Sequence, residues 1–318
     1  MKPGKKPNSV SFFRAFSSGN SRISIIGVPL KTGTAKTGCE NAPYYLRACS
    51  KRYTWSASNP FIGIISNSRL YSFCIKDLGD IPGLGNDHIS NVQLVERFID
   101  SFPKDEVPVL IGGNHSITYP VVRSLFNRYQ NLKVVQFDHH LDLQIWEQGA
   151  WCNEGLEMLF NTNVMSHVID LLPPKSLYQL GINALFTVEK TEQYSAFEYL
   201  EKVAQQVTST EYLTRDFSYI ESRLPINEDI YISIDVDVLD SSLIRVTGYP
   251  SEMGIGLDHL MRSLFYLFQH NRVVGVDLVE FSPQVTDRSE GTILEAGKIL
   301  CIIAFIVQML GESLEIGQ

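Results

Sequence analysis

Short apolar runs alternate along the chain with amphipathic stretches of helical length. Ile23–Val28, Val107–Ile111, Leu132–Phe137, Ser176–Gly181, Asp229–Ile234 and Arg272–Val279 are rich in Val and Ile, and several are apolar on both faces. That is the pattern of strands in a sheet covered on both sides. Between them, Asn91–Ser101, Pro120–Tyr129, Ser195–Thr208 and Leu257–His270 read as helices. Alternating strand and helix predicts an α/β fold, a mostly parallel central sheet between two helical layers. The longest apolar run, Ile299–Leu310 interrupted by Gln308, is well short of the ~20 residues a membrane span needs and predicts a buried helix. No internal repeat or linker-like stretch divides the chain, so residues 21–318 read as one domain and the Lys-, Ser- and Gly-containing residues 1–20 as a loose arm.

Composition narrows the partners. The chain has 318 residues, 27 Lys plus Arg against 35 Asp plus Glu, and a net charge of −8. A negative balance argues against nucleic acid or an anionic membrane and suits metal ions or cationic ligands. The five cysteines, Cys39, Cys49, Cys74, Cys152 and Cys301, follow no CxxC spacing. A disulfide framework or structural zinc is therefore not expected, and the reducing cytoplasm is the expected address.

The chemistry lies where the strands end. Val107–Ile111 runs into Gly112-Gly113-Asn114-His115-Ser116, and Leu132–Phe137 into Asp138-His139-His140-Leu141-Asp142. Tyr231–Ile234 runs into Asp235-Val236-Asp237, and Arg272–Val279 ends at Glu280. Open parallel sheets bind ligands outside the carboxyl ends of their strands, so these side chains are expected on one edge. Side chains alternate along an extended chain, so Asp138, His140 and Asp142 share one face, as do Asp235 and Asp237, with His139 opposite. A lone Asp-x-His is more often a solvated loop than a ligand; three such clusters at strand ends reverse that balance. Four carboxylates and two imidazoles carry too much negative charge to gather without cations. Two divalent ions sharing carboxylates resolve this, and an oxygen-rich set with two nitrogens favours Mn²⁺.

These segments resemble the three metal-binding signatures of the ureohydrolases, the family of arginase, agmatinase, guanidinobutyrase and formimidoylglutamase. Gly27-Val28-Pro29, Gly33, Gly38, Ala42-Pro43, Leu46-Arg47 and Asp77-Leu78-Gly79-Asp80 are similar to further segments of that family, and Glu280 stands where it has a glutamate. The resemblance runs from about residue 23 to residue 310. It implies an arginase-like three-layer α/β/α fold and two Mn²⁺ per chain. One ion would be held by His115, Asp138, Asp142 and Asp235, the other by Asp138, His140, Asp235 and Asp237. It also implies hydrolysis of a guanidinium group to urea and an amine, with Glu280 pairing with the guanidinium and Asp142 relaying a proton. Members commonly form trimers or hexamers, so a homo-oligomer stays open.

Three departures bear on the substrate. Asn114 replaces the Asp common before the ligand His, and Ser241 replaces a Pro. In the loop 143–155, where arginases carry Ser, Thr and Asn for the head of free arginine and then a shuttle His, this chain has Trp146, Trp151 and Glu154. Free arginine is therefore not the expected substrate. Arginine side chains in a precursor peptide, converted to ornithine as by the peptide arginases, are the first expectation, with Trp146 and Trp151 gripping the chain and Glu154 in the shuttle position. Agmatine or another small guanidino amine is the alternative. An arginase-fold zinc deacetylase or a non-catalytic binding protein fits the six-ligand set less well.

Overall fold

The structure is a computed structural model that describes residues 11–14, 21–53, 61–66, 69–143, 155–183, 201–287 and 289–316. The strands are β1 (Ile23–Val28), β2 (Phe61–Ser66), β3 (Arg69–Cys74), β4 (Lys76–Asp80), β5 (Val107–Gly112), β6 (Lys133–Phe137), β7 (Leu177–Ile182), β8 (Val203–Thr208), β9 (Asp229–Asp235) and β10 (Arg272–Val279). Eight of them form one parallel sheet in the order β4-β1-β5-β10-β9-β6-β7-β8, and β2 pairs antiparallel with β3 apart from it. The helices are α1 (Ala42–Ser50), α2 (His88–Asp100), α3 (Thr118–Phe126), α4 (Val164–Leu171), α5 (Ser209–Thr214), α6 (Phe217–Glu221), α7 (Leu257–His270) and α8 (Glu290–Ile316).

Strand residues alternate between two cores, which makes the three layers. Ile230, Ile232 and Ile234 of β9 face one core with Leu46 of α1, Leu264 of α7 and Ile303 of α8. Tyr231 faces the other with Val95 of α2, Val122 of α3 and Val168 of α4. In α7, Leu260, Leu264, Leu267 and Phe268 are the buried stripe of a helix lying on a sheet. The expected apolar run 299–310 falls inside α8, where Ile299, Leu300, Ile302, Ile303, Ile306 and Val307 are buried. The stretch Glu290–Leu314 is long and apolar enough to cross a membrane, but much of its surface is spent on the core.

Two expectations change. Of the helix expected over Ser195–Thr208, residues 195–200 lie outside the described residues, and Val203–Thr208 is instead the edge strand β8, paired with β7. Val203 and Val207 are buried four residues apart, a spacing that satisfies both the helical and the two-residue period, and the open edge of β7 decides between them. The chain then turns helical at once, because Thr208 and Glu211 cap α5 reciprocally: Glu211 N–H donates to Thr208 Oγ1 at 3.2 Å, and Thr208 N–H donates to Glu211 Oε2 at 2.8 Å. Within residues 1–20, expected as a loose arm, the described residues 11–14 carry Phe12 and Phe13 into the core. Phe12 packs its ring on the Arg47 guanidinium, 4.9 Å away, and its N–H donates to Asp77 at 2.6 Å. Arg47 also pairs with Asp77 at 3.0 Å and with Asp80, tying α1 to the edge strand β4 and joining two segments of the family resemblance.

Candidate metal centre

The central strands are in register at their carboxyl ends. Phe137 pairs with Ile234, Ile234 with Leu278, and Leu278 with Ile111. Asp138, Asp235 and the turn leading to His115 therefore leave the sheet at one level, beside Glu280. Gly113 permits the turn: a Cβ there would lie 2.0 Å from the Leu30 carbonyl oxygen. Glu280 N–H then donates to the Gly113 carbonyl at 2.9 Å.

Convergence beyond that level is not the strand alternation expected from sequence. β6 ends at Phe137 and Val236–Val238 is a 3-10 turn, so neither ligand-bearing segment is extended. Asp142 and Glu280 instead adopt left-handed backbone, at φ 49° and 64°. That conformation is costly for residues with a Cβ and concentrates at functional sites.

The side chains form two groups sharing Asp138. His115 Nδ1 lies 2.8 Å from Asp142 Oδ2, 3.2 Å from Asp138 Oδ2 and 3.4 Å from Asp235 Oδ2. His140 Nδ1 lies 3.2 Å from Asp237 Oδ2 and 3.5 Å from Asp138 Oδ1. Asp138 thus turns one oxygen to each histidine. The His115 side chain is 1% exposed and that of His140 44%, so the site opens to solvent on the His140 side. His139 belongs to neither group; it is buried and its ring stands edge-on to His140 at 5.5 Å.

The hydrogen bonds behind His115 show what the site is built to hold. Ser233 Oγ donates to Asp277 Oδ1 at 2.6 Å, and Thr118 and Tyr231 donate to Asp277 Oδ2 at 2.7 and 2.6 Å. With its proton on Asp277, Ser233 can only accept from His115 Nε2, 2.9 Å away. Nδ1 is then left facing three carboxylates with no hydrogen bond of its own. A buried nitrogen among carboxylate oxygens is a donor set that fits a shared cation better than shared protons.

The electrostatics agree. Burial and the neighbouring carboxylates push Asp235 and Asp237 above the ordinary range, and burial with the Asp138 charge pushes Asp142 up to about 6. Burial alone would lower His140, but Asp138 and Asp237 outweigh it and hold it at about 12. Burial also lifts Glu280 to about 7, against the pull of the His115 N–H on its Oε1 at 2.8 Å. These carboxylates crowd one another, and a divalent pair would relieve them all.

Sequence reading missed Asp277, whose signal is a lone charge inside an apolar strand, and Asn161, whose Nδ2 reaches Glu280 Oε1 at 3.4 Å and which carries no signal. Trp146, Trp151 and Glu154 lie outside the described residues. Asn114 keeps a supporting role: its Oδ1 accepts from Ser116 N–H at 3.0 Å, and its Nδ2 donates to the Thr32 carbonyl at 2.7 Å.

A parallel sheet with this cluster of acids and imidazoles at its carboxyl edge has the form of a metal-dependent hydrolase, and the family match makes it a ureohydrolase. The chain belongs to the Arginase family, whose model matches residues 21–305. It is 30% identical over 229 residues to an agmatinase of Bacillus subtilis, covering 70% of this chain and 72% of the relative. It is 28% identical over 276 residues to a formimidoylglutamase of the same organism, covering 83% and 81%. Among solved structures, the proclavaminate amidino hydrolase of Streptomyces clavuligerus shares the fold with a TM-score of 0.76 at 21% identity, over 98% of this chain and 99% of that one.

Proposed function

We propose that this ureohydrolase binds two manganese ions and hydrolyses arginine side chains within a peptide to ornithine and urea, in the cytoplasm. The observation that carries the guanidinium chemistry is Glu280, a buried carboxylate beside the cluster whose Oε1 is fixed by the His115 N–H. His115, Asp138, Asp142 and Asp235 would hold one ion, and Asp138, His140, Asp235 and Asp237 the other. When bound, the ions supply Lewis acidity and a water of lowered pKa. Glu280 receives the guanidinium as a bidentate pair, and the arriving cation draws its carboxyl back into the charged form. Its position orients the guanidinium carbon towards the acid cluster. Asp142, beside the cluster at 2.8 Å from His115 Nδ1, is placed to pass a proton to the departing amine.

The peptide reading is supported by the loop 143–155, whose Trp146, Trp151 and Glu154 suit a chain better than the head of a free amino acid. A second reading, agmatine or another small guanidino amine, is favoured by the agmatinase names of several relatives. The manganese-loaded protein, given agmatine, arginine and varied arginine-containing peptides, decides between them. Urea from peptides, with each converted residue losing the elements of cyanamide, supports the first reading. Efficient agmatine hydrolysis without peptide conversion overturns it.

A further inference from the structure

The exposed side of the site has a cation on its rim. The Lys36 ammonium lies 4.8 Å from the centre of the Tyr249 ring, and that ring stands edge-on to His140 at 6.1 Å. Tyr249 is 45% exposed, so the pair lies at the mouth. Gly248 lies near both the lysine and the carboxylate proposed to face the guanidinium. A Cβ built on Gly248 would lie 3.4 Å from Lys36 Cγ and 4.0 Å from Glu280 Oε2. Among the described residues no carboxylate forms an ion pair with Lys36. An aromatic face holds the ammonium in place without neutralising it.

Two charges of opposite sign therefore bracket the Gly248 backbone: Glu280 in the buried end and Lys36 at the open end. A guanidino substrate whose head pairs with Glu280 and whose alkyl chain leaves past Gly248 brings its tail near Lys36. We infer that Lys36 is a specificity-determining residue that reads the substrate's tail: it repels an ammonium and accepts a tail oxygen. The ligand chemistry is a guanidino group joined by a short alkyl chain to a carbonyl or carboxylate oxygen. A peptide main-chain carbonyl and the carboxylate of a small guanidino acid both supply it, while the ammonium of agmatine does not. This deepens the proposed function and rests on its guanidinium site. The Tyr249 face fixes where the charge sits, so the lysine selects by position as well as by sign.

The experiment compares wild type, Lys36→Ala, Lys36→Glu and Tyr249→Leu with three probes: agmatine, 4-guanidinobutyrate and an N-acetylated arginine peptide amide. Lys36→Ala is expected to shift the ratio of kcat/KM for 4-guanidinobutyrate over agmatine towards agmatine by about tenfold, and Lys36→Glu further, as expected for partly screened charges a few ångströms apart. The change should lie in KM with kcat nearly constant, shrink as salt is raised, and leave manganese content unaltered. Calorimetric titration with the corresponding products, an amino acid against a diamine, should show the same preference without turnover. Tyr249→Leu should give part of the Lys36→Ala effect. The peptide arm separates the sources: loss with Lys36→Ala on the peptide and not the small acid assigns the tail oxygen to a main-chain carbonyl, and the reverse to a carboxylate. A selectivity ratio unchanged in Lys36→Glu overturns the inference while the guanidinium site stands. No urea from any probe with wild type fails the functional reading itself.

Discussion

The backbone N–H of His115 donates to Oε1 of Glu280 at 2.8 Å. A residue of the metal cluster thus holds the carboxylate proposed to receive the guanidinium, so ion and substrate positions are set by one piece of chain. Glu280→Gln keeps the shape and an acceptor for that N–H but removes the charge. Manganese content should survive while turnover falls by about two orders of magnitude or more, the scale of ~3 kcal/mol of lost positioning. Unchanged turnover would remove Glu280 from the reaction.

Ser233 stands between His115 and Asp277, 2.9 Å from one and 2.6 Å from the other. Ser233→Ala leaves the buried His115 Nε2 and one oxygen of Asp277 without their partner. Manganese affinity should drop by about 10–100-fold, the usual consequence of losing the group that orients a ligating imidazole. Stability should fall by about 1–3 kcal/mol. Turnover at saturating manganese should be largely restored, which separates weakened ligation from a chemical role. Manganese titration with a denaturation curve reads both, and unaltered affinity would mean that Ser233 does not orient the histidine.

The sheet was legible because its central strands are buried on both faces and written mostly in Val, Ile and Leu, as in Ile23–Val28 and Arg272–Val279. The six acids and imidazoles were legible because parallel strands end on one edge. What failed was local. Val203 and Val207 fit either period, so only the neighbouring β7 made them a strand. Strand parity puts Asp138, His140 and Asp142 on one face of an extended chain, but that segment lies beyond β6 and Asp142 has left-handed backbone, so their placement is not strand alternation. Asn161 reaches the site from a short 3-10 turn and Lys36 from a loop, where no hydrophobic period reports position.

His139 and Asp235 offer a contrast within one site. Asp235 Oδ2 lies 3.4 Å from His115 Nδ1, and its Oδ1 accepts the Asp237 backbone N–H at 2.9 Å, so it belongs to one group of donors and props the turn that carries Asp237 of the other. Asp235→Ala should therefore strip manganese and abolish urea release together. His139→Ala should leave manganese content intact, because His139 belongs to neither group of donors. Burial and the charge of His140 hold His139 down at about 4, a neutral packing residue at working pH. Loss of both ions in His139→Ala would place it among the ligands.

Metal removal should act through pH with a definite sign. In the metal-free fold, burial raises Asp142 to about 6 and Glu280 to about 7, both above the values near 4 expected when unfolded. A carboxyl raised on folding contributes stability that is full below the unfolded pKa and lost as pH rises through the folded one. Between pH 4 and 7 the metal-free protein is therefore expected to lose stability as these two groups ionise. Asp138 opposes little in this window, because the two histidines keep it below the ordinary range and it is charged throughout. His140, held at about 12 by Asp138 and Asp237, stays protonated across the window and loses that proton to a bound ion. Manganese competes with all these protons, so its stabilisation should be small at pH 5 and grow towards pH 8. Melting temperatures of chelated and manganese-loaded protein, measured at unit steps of pH, read the difference directly. An increment that is flat or falls with pH would mean that the ions do not occupy this carboxylate cluster.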